Sequence, residues 1–562
     1  MDPLQYLNSK FVQEFTFPRQ LAISSILALA AHYFTLSIEL DYLVIHLTTL
    51  YLVVYVCLIR LYSAYTDIYS AVISATKLAA VFNATLITSI VIHRLFLHRT
   101  RRIPGPFLAR LSPLWIVSKS WKKRKGYLIV EALHKQHGDI IRIAPRQLSI
   151  NNVQAITAIY GGNSPCTKTT FYDHRFPEHQ SSLFSQRDRS THQLRLRGWE
   201  KAFSPLSIAA YEPTMRNCQR LFLDQLAEAG TIDTTMWSNF LAFDIIGQVG
   251  LGKTWGLLEA KEFPPAIRKI KDSQTGFWLA GYMGWLMRLA IVLPFAGRFS
   301  GAMAFAAWCK EAVEEQIREF EQDREKEVGR VKTIMRTLLE DERAGLGRMH
   351  RMAHWDDGGL LFAAGSETTP TAFTGAMWYL AMNKDKLQKL QAALDDAFPN
   401  GDEEVTYAKV QAIPYVSAVL YETLRLQPPV AGVIPRNTPP QGITINGQYI
   451  PGNTTVGVPV WTIHRDERYF ERPLEFIPER WTKEMPGLVK DRRAYMPWSI
   501  GPTACAGKPL ANMSLKLMIS RICLSFDFDF AEGQDPRAYK EDMKENFGFQ
   551  VPALRMTFTP RK

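Results

Sequence analysis

The first hundred residues carry their hydrophobic positions in long unbroken runs, whereas the rest of the chain mixes apolar and charged positions. The segments 21–38 and 42–59 contain no Asp, Glu, Lys or Arg, and each is about long enough to cross a bilayer as a helix. A third run, 78–92, is shorter and is bounded by Lys77 and Arg94. The pattern predicts a membrane anchor of two to three transmembrane helices over residues 1–100 and a second domain over residues 101–562.

The charges around these runs leave the number of spans open. Basic residues tend to remain on the cytosolic side, which places the basic segment 93–102 there. Three spans then put Glu39 and Asp41 on the cytosolic side and the residues before 21 in the lumen. Two spans with an interfacial third segment would instead give the cytosolic side four basic residues, Lys10, Arg19, Arg60 and Lys77. Because the 93–102 cluster can dominate orientation, we expect three spans. The apolar length is too great for a cleaved signal peptide.

Several stretches of the second domain have a recognisable pattern. Residues 103–106 (IPGP) cannot be helical and predict a stiff spacer after the anchor. Residues 138–150 alternate, are rich in Ile, and predict a strand, a turn and a strand. The apolar, aromatic segment 259–305 predicts a lid over a substrate access route. The charged segment 310–344 predicts a solvated helix.

Charge and cysteine content narrow the function classes. The formal net charge is +12, but Lys and Arg are interspersed with acids and match no nucleic-acid-binding motif, so we expect a membrane surface or an acidic protein as the partner, and no nucleic acid. The six cysteines are far apart and include no Cys-x-x-Cys pair. A zinc site or a disulfide framework is therefore not expected, and the catalytic part suits a reducing compartment.

Residues 356–382 form an apolar stretch with one polar island, 364–370 (AGSETTP). A buried acid followed by two threonines is costly unless these groups are hydrogen-bonded or used. Pro370 should remove one helical hydrogen bond and kink the helix. Glu367 and Thr368 are therefore candidates for a polar notch that holds dioxygen and water.

Cys505 lies in a short loop between Gly501 and Gly507, just before an apolar helical pattern that starts near Pro509. Proline suits a helix start, and glycine suits a backbone that must bend. The positive end of a helix favours a thiolate, the form of cysteine that binds metals. The loop therefore predicts a single axial metal ligand from Cys505.

This loop resembles the haem-binding loop of the cytochrome P450 family, through the pattern Trp-x-x-Gly-x-x-x-Cys-x-Gly. Trp498 stands where Phe is usual, and Thr503 stands where the family commonly has Arg, a haem-propionate contact. The island 364–370 is similar to the family's oxygen-activating sequence Ala/Gly-Gly-x-Asp/Glu-Thr-Thr. The resemblance implies the roles of acid and alcohol for Glu367 and Thr368, and a haem held through Cys505 with Trp498, Gly501 and Gly507 around it.

Two further segments resemble the family's supporting motifs. Glu422 and Arg425 match its Glu-x-x-Arg sequence, and the resemblance implies a buried triad with Arg480 that braces the cysteine loop. For the propionates it implies Arg436 together with His192 and an arginine four residues later. Leu196 occupies that last position, so Arg197 or Arg195 would have to substitute. Residues 430–436 read as a strand beside the haem, and its apolar part would line the substrate pocket.

Taken together, the resemblance covers about residues 100–562. It implies a mainly α fold with a minor β-sheet domain, anchored in the endoplasmic reticulum membrane with its catalytic domain in the cytosol. It further implies haem b, dioxygen, and NADPH electrons delivered by NADPH-cytochrome P450 reductase, with cytochrome b5 as a further partner. The substrate would be a lipophilic small molecule of fungal secondary metabolism, which is hydroxylated, epoxidised or further oxidised.

Two other interpretations compete with this one. The same haem could catalyse rearrangement or dehydration without net oxygen insertion, or the chain could be a membrane scaffold that has lost its chemistry. The departures at Thr503 and Leu196 are the support for a scaffold, and the intact Glu367-Thr368 pair argues against it.

The run His464-Arg465-Asp466 looks like a kinase catalytic loop, but Glu471 replaces the metal-binding Asn, and no Gly-rich phosphate loop precedes it.

Overall fold

The computed structural model describes residues 16–36, 38–173, 182–265, 267–268, 278–279, 281–292, 300–322, 332–343 and 351–561. Its first three helices are α1 (Phe17–Thr35), α2 (Val44–Ser63) and α3 (Ile68–Ile92). Helix α3 packs against both α1 and α2. Within these described residues, α2 and the segment Ile68–Leu97 are long and apolar enough to cross a membrane.

The helix that contains the third apolar run begins at Ile68, ten residues before the start of the run at position 78. Asp67 caps α3 by accepting hydrogen bonds from the backbone N–H groups of Tyr69 and Ser70, and the helix continues through Lys77. The sequence pattern places the start of the apolar run after Lys77. The long lysine side chain can reach a polar environment while its backbone stays helical, so Lys77 does not end the helix. Helix α3 is therefore long enough to span, and an interfacial position is not required by its length.

The rest of the chain is mainly helical. The helices that follow are α4 (Phe107–Leu111), α5 (Leu114–Ser120), α6 (Gly126–His137), α7 (Val153–Tyr160), α8 (Arg189–Ala202), α9 (Pro205–Ala229), α10 (Thr234–Leu251), α11 (Leu257–Ala260), α12 (Gly284–Val292), α13 (Ser300–Gln322), α14 (Ile334–Arg343), α15 (Arg351–Met382), α16 (Lys384–Ala397), α17 (Tyr407–Gln411), α18 (Pro414–Leu426), α19 (Val460–Ile463), α20 (Lys508–Ser525) and α21 (Pro536–Glu541). Parts of the predicted lid and of the charged segment 310–344 lie outside the described residues.

The strands are short and form a minor part of the fold. They are β1 (Ile140–Ala144), β2 (Gln147–Ile150), β3 (Thr167–Lys168), β4 (Thr231–Asp233), β5 (Arg436–Asn437), β6 (Ile443–Ile445), β7 (Gln448–Ile450), β8 (Thr455–Gly457), β9 (Phe526–Phe530), β10 (Lys544–Glu545), β11 (Phe549–Gln550) and β12 (Arg555–Pro560). The largest sheet has the order β1-β2-β8-β5-β3, and β4-β12-β9 form another. The predicted hairpin over 138–150 is confirmed, with Ile141 opposite Ser149.

The core is organised around α15, which contacts α10, α13, α18 and α20. A Cβ atom on Gly365 would lie 2.7 Å from the side chain of Ile246, so a glycine permits the close crossing of α15 and α10.

The prediction of a strand over 430–436 is wrong for most of its length. Only Arg436 belongs to β5, because Pro429 and Pro435 cannot donate to a strand ladder.

Candidate active site

The cysteine loop is a closed turn of backbone hydrogen bonds. The N–H of Cys505 donates to the Trp498 carbonyl at 2.9 Å, and the N–H of Ala504 donates to the Gly501 carbonyl at 3.0 Å. Gly501 has a φ of 71°, and a Cβ atom there would lie 2.2 Å from the Tyr160 carbonyl oxygen. Glycine is therefore required at this position, both by its backbone angle and by the close approach of α7.

The sulfur of Cys505 lies at the start of α20, as the sequence predicted. Cys505 is exposed to the space in front of the loop, yet the loop is deep enough in the fold that burial raises the pKa of the thiol. The backbone N–H groups of Gly507 and Lys508 bond to the sulfur and oppose this shift. The helix start thus favours the thiolate but does not outweigh burial, and a cation such as iron would favour deprotonation much more strongly.

The polar island lies in the middle of α15. Thr368 Oγ1 donates to the Ala364 carbonyl at 2.6 Å, and Thr371 Oγ1 donates to the Glu367 carbonyl at 2.8 Å. The helix continues through Pro370, whose carbonyl accepts a hydrogen bond from Thr374 Oγ1 at 2.8 Å. Threonine hydroxyls therefore bond to the carbonyls along this part of the helix.

A cluster of positive groups lies where β3 and β5 meet α8. The register pairs Lys168 of β3 with Arg436 of β5, and both side chains are buried. Burial, followed by repulsion from Arg436 and Arg195, lowers the pKa of Lys168 to about 7. Burial and the same cluster lower the pKa of His192 to about 4. These shifts show that several cations or potential cations share one poorly solvated region.

The structure separates the two arginines that the sequence left as alternatives. Arg195 is buried on the same side of α8 as His192, whereas Arg197 is exposed. Arg195 Nη2 lies 2.6 Å from Asp357 Oδ2, an ion pair between two buried side chains. Of the two alternatives, Arg195 is therefore the arginine that joins the cluster, and Arg197 is the exposed one.

Arg436 connects this cluster to the cysteine loop. Its Nη2 donates to Thr503 Oγ1 at 2.8 Å, and its Nη1 donates to the Tyr172 hydroxyl and, at 2.9 Å, to the Pro435 carbonyl. The guanidinium lies 5.4 Å from the ring centroid of Tyr160 and 5.1 Å from that of Tyr172. Two aromatic rings and Thr503 thus fix the orientation of Arg436.

The three residues predicted as a triad are in direct contact. Glu422 accepts hydrogen bonds from Arg425 Nη2 at 2.8 Å and from Arg480 Nε at 2.9 Å. It also accepts from Trp481 Nε1 at 2.9 Å and from the Ile477 N–H at 3.0 Å. All three charged side chains are fully buried. The network joins α18 to the segment that leads to the cysteine loop.

His464 completes this connection, and sequence reasoning missed it. His464 Nδ1 is 3.1 Å from the Arg425 carbonyl, and His464 Nε2 accepts a hydrogen bond from the Met496 N–H at 3.0 Å. The proton must therefore be on Nδ1. Burial lowers the pKa of His464 to about 3. The run that looked like a kinase loop is a brace between the triad and the residues just before Trp498.

Lys168 was also missed, since a single lysine in a short polar segment carries no distinctive pattern. Only the pairing of β3 with β5 brings it opposite Arg436. A long-range strand register of this kind is set by the whole fold and has no local signal in the sequence.

The cysteine loop, the middle of α15 and the positive cluster together fit a haem. Ala363 and Ala364 are exposed in the middle of α15, next to the buried Phe362 and only a few residues from buried Ser366. Exposed small residues in a core helix, together with the exposed Cys505, indicate internal space between the two elements. The positive cluster suits a group with two carboxylates, because Lys168, Arg195 and Arg436 are all buried in one region. Thiolate sulfur is also an established axial ligand of haem iron.

Comparison with known proteins agrees with this arrangement. The sequence model of the cytochrome P450 family matches residues 104–558. Tryprostatin B 6-hydroxylase of Aspergillus fumigatus is 34% identical over 500 residues, covering 86% of this chain and 85% of the relative. Cytochrome P450 monooxygenase notG' of Aspergillus versicolor is 31% identical over 502 residues, covering 88% of this chain and 89% of the relative.

Solved structures confirm the fold. The retinoic-acid-bound cyanobacterial CYP120A1 superposes with a TM-score of 0.63 at 21% identity, covering 76% of this chain and 93% of that one. The haem domain of cytochrome P450DA superposes with a TM-score of 0.67 at 17% identity, covering 79% of this chain and 95% of that one. The chain therefore belongs to the cytochrome P450 family, as a fungal-type haem-thiolate monooxygenase of a secondary-metabolite biosynthetic pathway.

Proposed function

We propose that the chain holds haem b through Cys505 and oxidises a lipophilic small molecule with dioxygen and electrons from NADPH. The observation that carries this is the joining of the cysteine loop to a buried cationic cluster through the bond between Arg436 and Thr503. When bound, the haem supplies dioxygen activation, and its thiolate ligand favours cleavage of the oxygen–oxygen bond. The protein supplies the ligand, the counter-charges, proton transfer and the substrate pocket.

In this proposal each residue has a separate task. Arg436 and Lys168 supply positive charge to the propionates, His192 donates a hydrogen bond to them, and Arg195 supports the cluster through its pair with Asp357. Trp498, Gly501 and Gly507 shape the loop that presents Cys505. On α15, Thr368 and Glu367 would hold and transfer protons next to the bound haem.

We propose that the electrons come from NADPH-cytochrome P450 reductase, with cytochrome b5 as a second donor. Family members require a redox partner, and the basic balance of the chain, +12 overall, suits an acidic partner surface. Reconstitution with purified reductase should allow NADPH oxidation, and adding cytochrome b5 should change its rate or its coupling to product.

The test of the haem assignment is the carbon monoxide difference spectrum of the reduced protein. A Soret band of the thiolate type is expected for the purified chain and should be lost in Cys505→Ser. A folded protein without that band would overturn the proposal. Comparing the metabolites of cells with and without the protein would then identify the substrate. Oxygen and NADPH consumed per product would distinguish monooxygenation from rearrangement.

We further propose three membrane spans in the endoplasmic reticulum, with the α1–α2 loop on the same side as the catalytic domain. The contacts of that loop support this arrangement. Glu39 pairs with Arg187 at 3.1 Å, and Thr170 Oγ1 donates to Asp41 Oδ2 at 2.7 Å. Arg288 lies 4.5 Å from the ring centroid of Tyr42.

These contacts explain why acidic residues would face the cytosol. The positive-inside tendency disfavours an acidic cytosolic loop only weakly, and here basic side chains of the catalytic domain bind it. Because the loop and the segment after α3 are on the same side, α2 and α3 together make an even number of crossings, which agrees with both of them spanning; α1 then adds the third crossing. Arg99 Nη1, which follows α3, likewise donates to the Gly452 carbonyl at 2.6 Å.

Engineered glycosylation sites would test this topology. Acceptor sites placed before α1 and in the α2–α3 turn at 64–67 should be glycosylated in the lumen. An acceptor site inserted in the α1–α2 loop should remain unmodified. Two spans with an interfacial third segment would leave the site before α1 unmodified, and that result would overturn the three-span arrangement.

A further inference from the structure

A cavity lies between the start of α6, the β10–β11 hairpin and the segment 430–433. Its volume is about 70 Å³, which is enough for a small group but well below the volume of a site that encloses a whole drug-sized molecule. Residues 430–433 are the stretch that the sequence assigned to the lining of the substrate pocket, and all four line this cavity. The cavity is therefore a candidate for the part of the pocket that holds one end of the substrate.

Aromatic rings form much of the wall. Phe171 and Phe547 contact each other with ring centroids 5.5 Å apart, and Trp278 and Tyr282 do so at 5.7 Å. All four residues line the cavity. The faces of aromatic rings attract cations as well as apolar groups. Phe547 also has a φ of 99°, a costly backbone angle for a bulky residue, which the surrounding fold must enforce.

One carboxyl group lies in this aromatic wall. Glu545 is 7% exposed, and burial raises its pKa to about 7. Its Oε2 accepts a hydrogen bond from the Tyr127 N–H at 3.0 Å. Among the described residues Glu545 forms no ion pair. Arg124, whose carbonyl accepts the Glu545 backbone N–H, directs its guanidinium to Asn546 and Gln550.

Two glycines make room for this carboxyl. A Cβ atom on Gly432 would lie 2.5 Å from Glu545 Oε1, and a Cβ atom on Gly126 would lie 2.8 Å from Glu545 Oε2. The backbone of two separate segments therefore approaches the carboxyl closely. A buried acid that has no positive partner among the described residues is costly, and a cation that enters the cavity would remove that cost.

We propose that this cavity binds the positively charged amino group of a basic, otherwise apolar substrate, with the Glu545 carboxylate as its counter-ion. The aromatic rings surround the ammonium group and its neighbouring carbons, and Glu545 fixes which end of the molecule enters the cavity. The opposite, apolar end is thereby the one that is presented for oxidation. This inference rests on the proposed function and adds to it the chemical class of the substrate.

A purely structural role for Glu545 is the competing explanation. Its bond to the Tyr127 N–H satisfies a donor at the start of α6 and ties the β10–β11 hairpin to that helix. The substitution Glu545→Gln separates the two roles. The amide oxygen can still accept from Tyr127, and the side-chain volume is nearly the same, but the negative charge is lost.

The test uses two probes with the same shape and different charge. One is phenylbutyltrimethylammonium, which cannot coordinate iron because its nitrogen has no free electron pair. The other is its neutral carbon isostere, with a tert-butyl group in place of the trimethylammonium group. Binding of each to the haem-loaded full chain in a neutral detergent is measured by calorimetry and by the shift of the Soret band.

For the native protein we expect the cation to bind at least about tenfold more tightly than the isostere, the ratio that 1.4 kcal/mol provides. In Glu545→Gln this preference should disappear, while in the matched surface variant Glu541→Gln it should remain. Equal or tighter binding of the isostere to the native protein would overturn the proposal without any variant. A preference that persists in Glu545→Gln would overturn the role of Glu545.

The carbon monoxide spectrum keeps this failure distinct from failure of the proposed function. A normal thiolate-type Soret band without a charge preference would leave the haem assignment intact and remove only the inference about the substrate. A protein without that band would contradict the proposed function itself. If Glu545→Gln does not fold, Glu545→Asp keeps the charge, and we expect it to retain the preference for the cation.

Discussion

Arg436 Nη2 donates a hydrogen bond to Thr503 Oγ1 at 2.8 Å, so the arginine assigned to a propionate is tied to the residue that replaces the usual arginine of the cysteine loop. The family commonly places two guanidinium groups here. This chain has one, and orients it with a threonine and two tyrosines. The bond explains how the loop can accommodate Thr503 while the cationic cluster remains in contact with it.

The first prediction follows from that bond. Arg436→Gln removes the charge next to the propionates, and a hydrogen bond between charged groups contributes about 1.5–3 kcal/mol. We expect haem to be retained about 10- to 100-fold less tightly, with Thr503→Val giving a smaller loss because it only frees the arginine. The rate of haem transfer to apomyoglobin measures this directly.

Arg197→Gln is the matched control for Arg436→Gln, because it removes the charge of an arginine that is exposed on α8. Haem transfer from this variant should equal that from the native protein. Arg436→Gln with unchanged haem transfer would contradict the assignment of the cationic cluster to the propionates.

The second prediction concerns the buried triad. Glu422→Gln leaves Arg425 and Arg480 without their carboxylate in a fully buried position. Removing one partner of a buried ion pair costs about 3–5 kcal/mol, so the free energy of unfolding should fall by that amount and haem content should fall with it. Urea unfolding in neutral detergent measures the change.

An exposed acid near the triad provides the comparison. Glu475 pairs with Arg472, and both side chains are about half exposed. Exposed pairs contribute about 0–1 kcal/mol, so Glu475→Gln should scarcely change stability. If both substitutions cost the same, the triad would not be the brace that its contacts indicate.

Much of this site could be predicted because its parts are local in sequence. The glycines around Cys505, the spacing of Glu422 and Arg425, and the polar island around Glu367 each have a pattern within a few residues. Lys168 and His464 have none, since Lys168 reaches the site through a strand register and His464 through hydrogen bonds to Arg425 and Met496. The choice between Arg195 and Arg197 depends on which face of α8 is buried. A segment with basic residues on several faces does not show this in its sequence.

The third prediction concerns proton transfer on α15. Thr368→Ala removes the hydroxyl that donates to the Ala364 carbonyl, and general acid–base steps typically contribute about 10²-fold or more. With the substrate found by metabolite comparison, product formed per NADPH should fall by roughly this factor while hydrogen peroxide rises. Thr369→Ala makes the same change one residue later and should keep most of the coupling. If the native protein and both variants formed the same amount of product per NADPH, Thr368 would have no part in the proposed proton transfer.

The fourth prediction is a dependence of stability on pH that comes from His464. Burial lowers its pKa in the folded protein to about 3, from the usual 6.5. Between these pH values the unfolded chain binds a proton that the folded chain does not, so the free energy of unfolding falls as the pH falls below 6.5. One such group contributes a slope of up to about 1.4 kcal/mol per pH unit.

His464→Gln removes this group while other buried histidines remain, so its stability should fall less steeply between pH 6.5 and 4 than that of the native protein. The variant should also be less stable at pH 7, because the bond from Met496 to His464 Nε2 is lost. Urea unfolding of both proteins across this range measures the two effects together. Parallel curves would show that protonation of His464 is not linked to unfolding, and would contradict its role as a neutral brace between the triad and the cysteine loop.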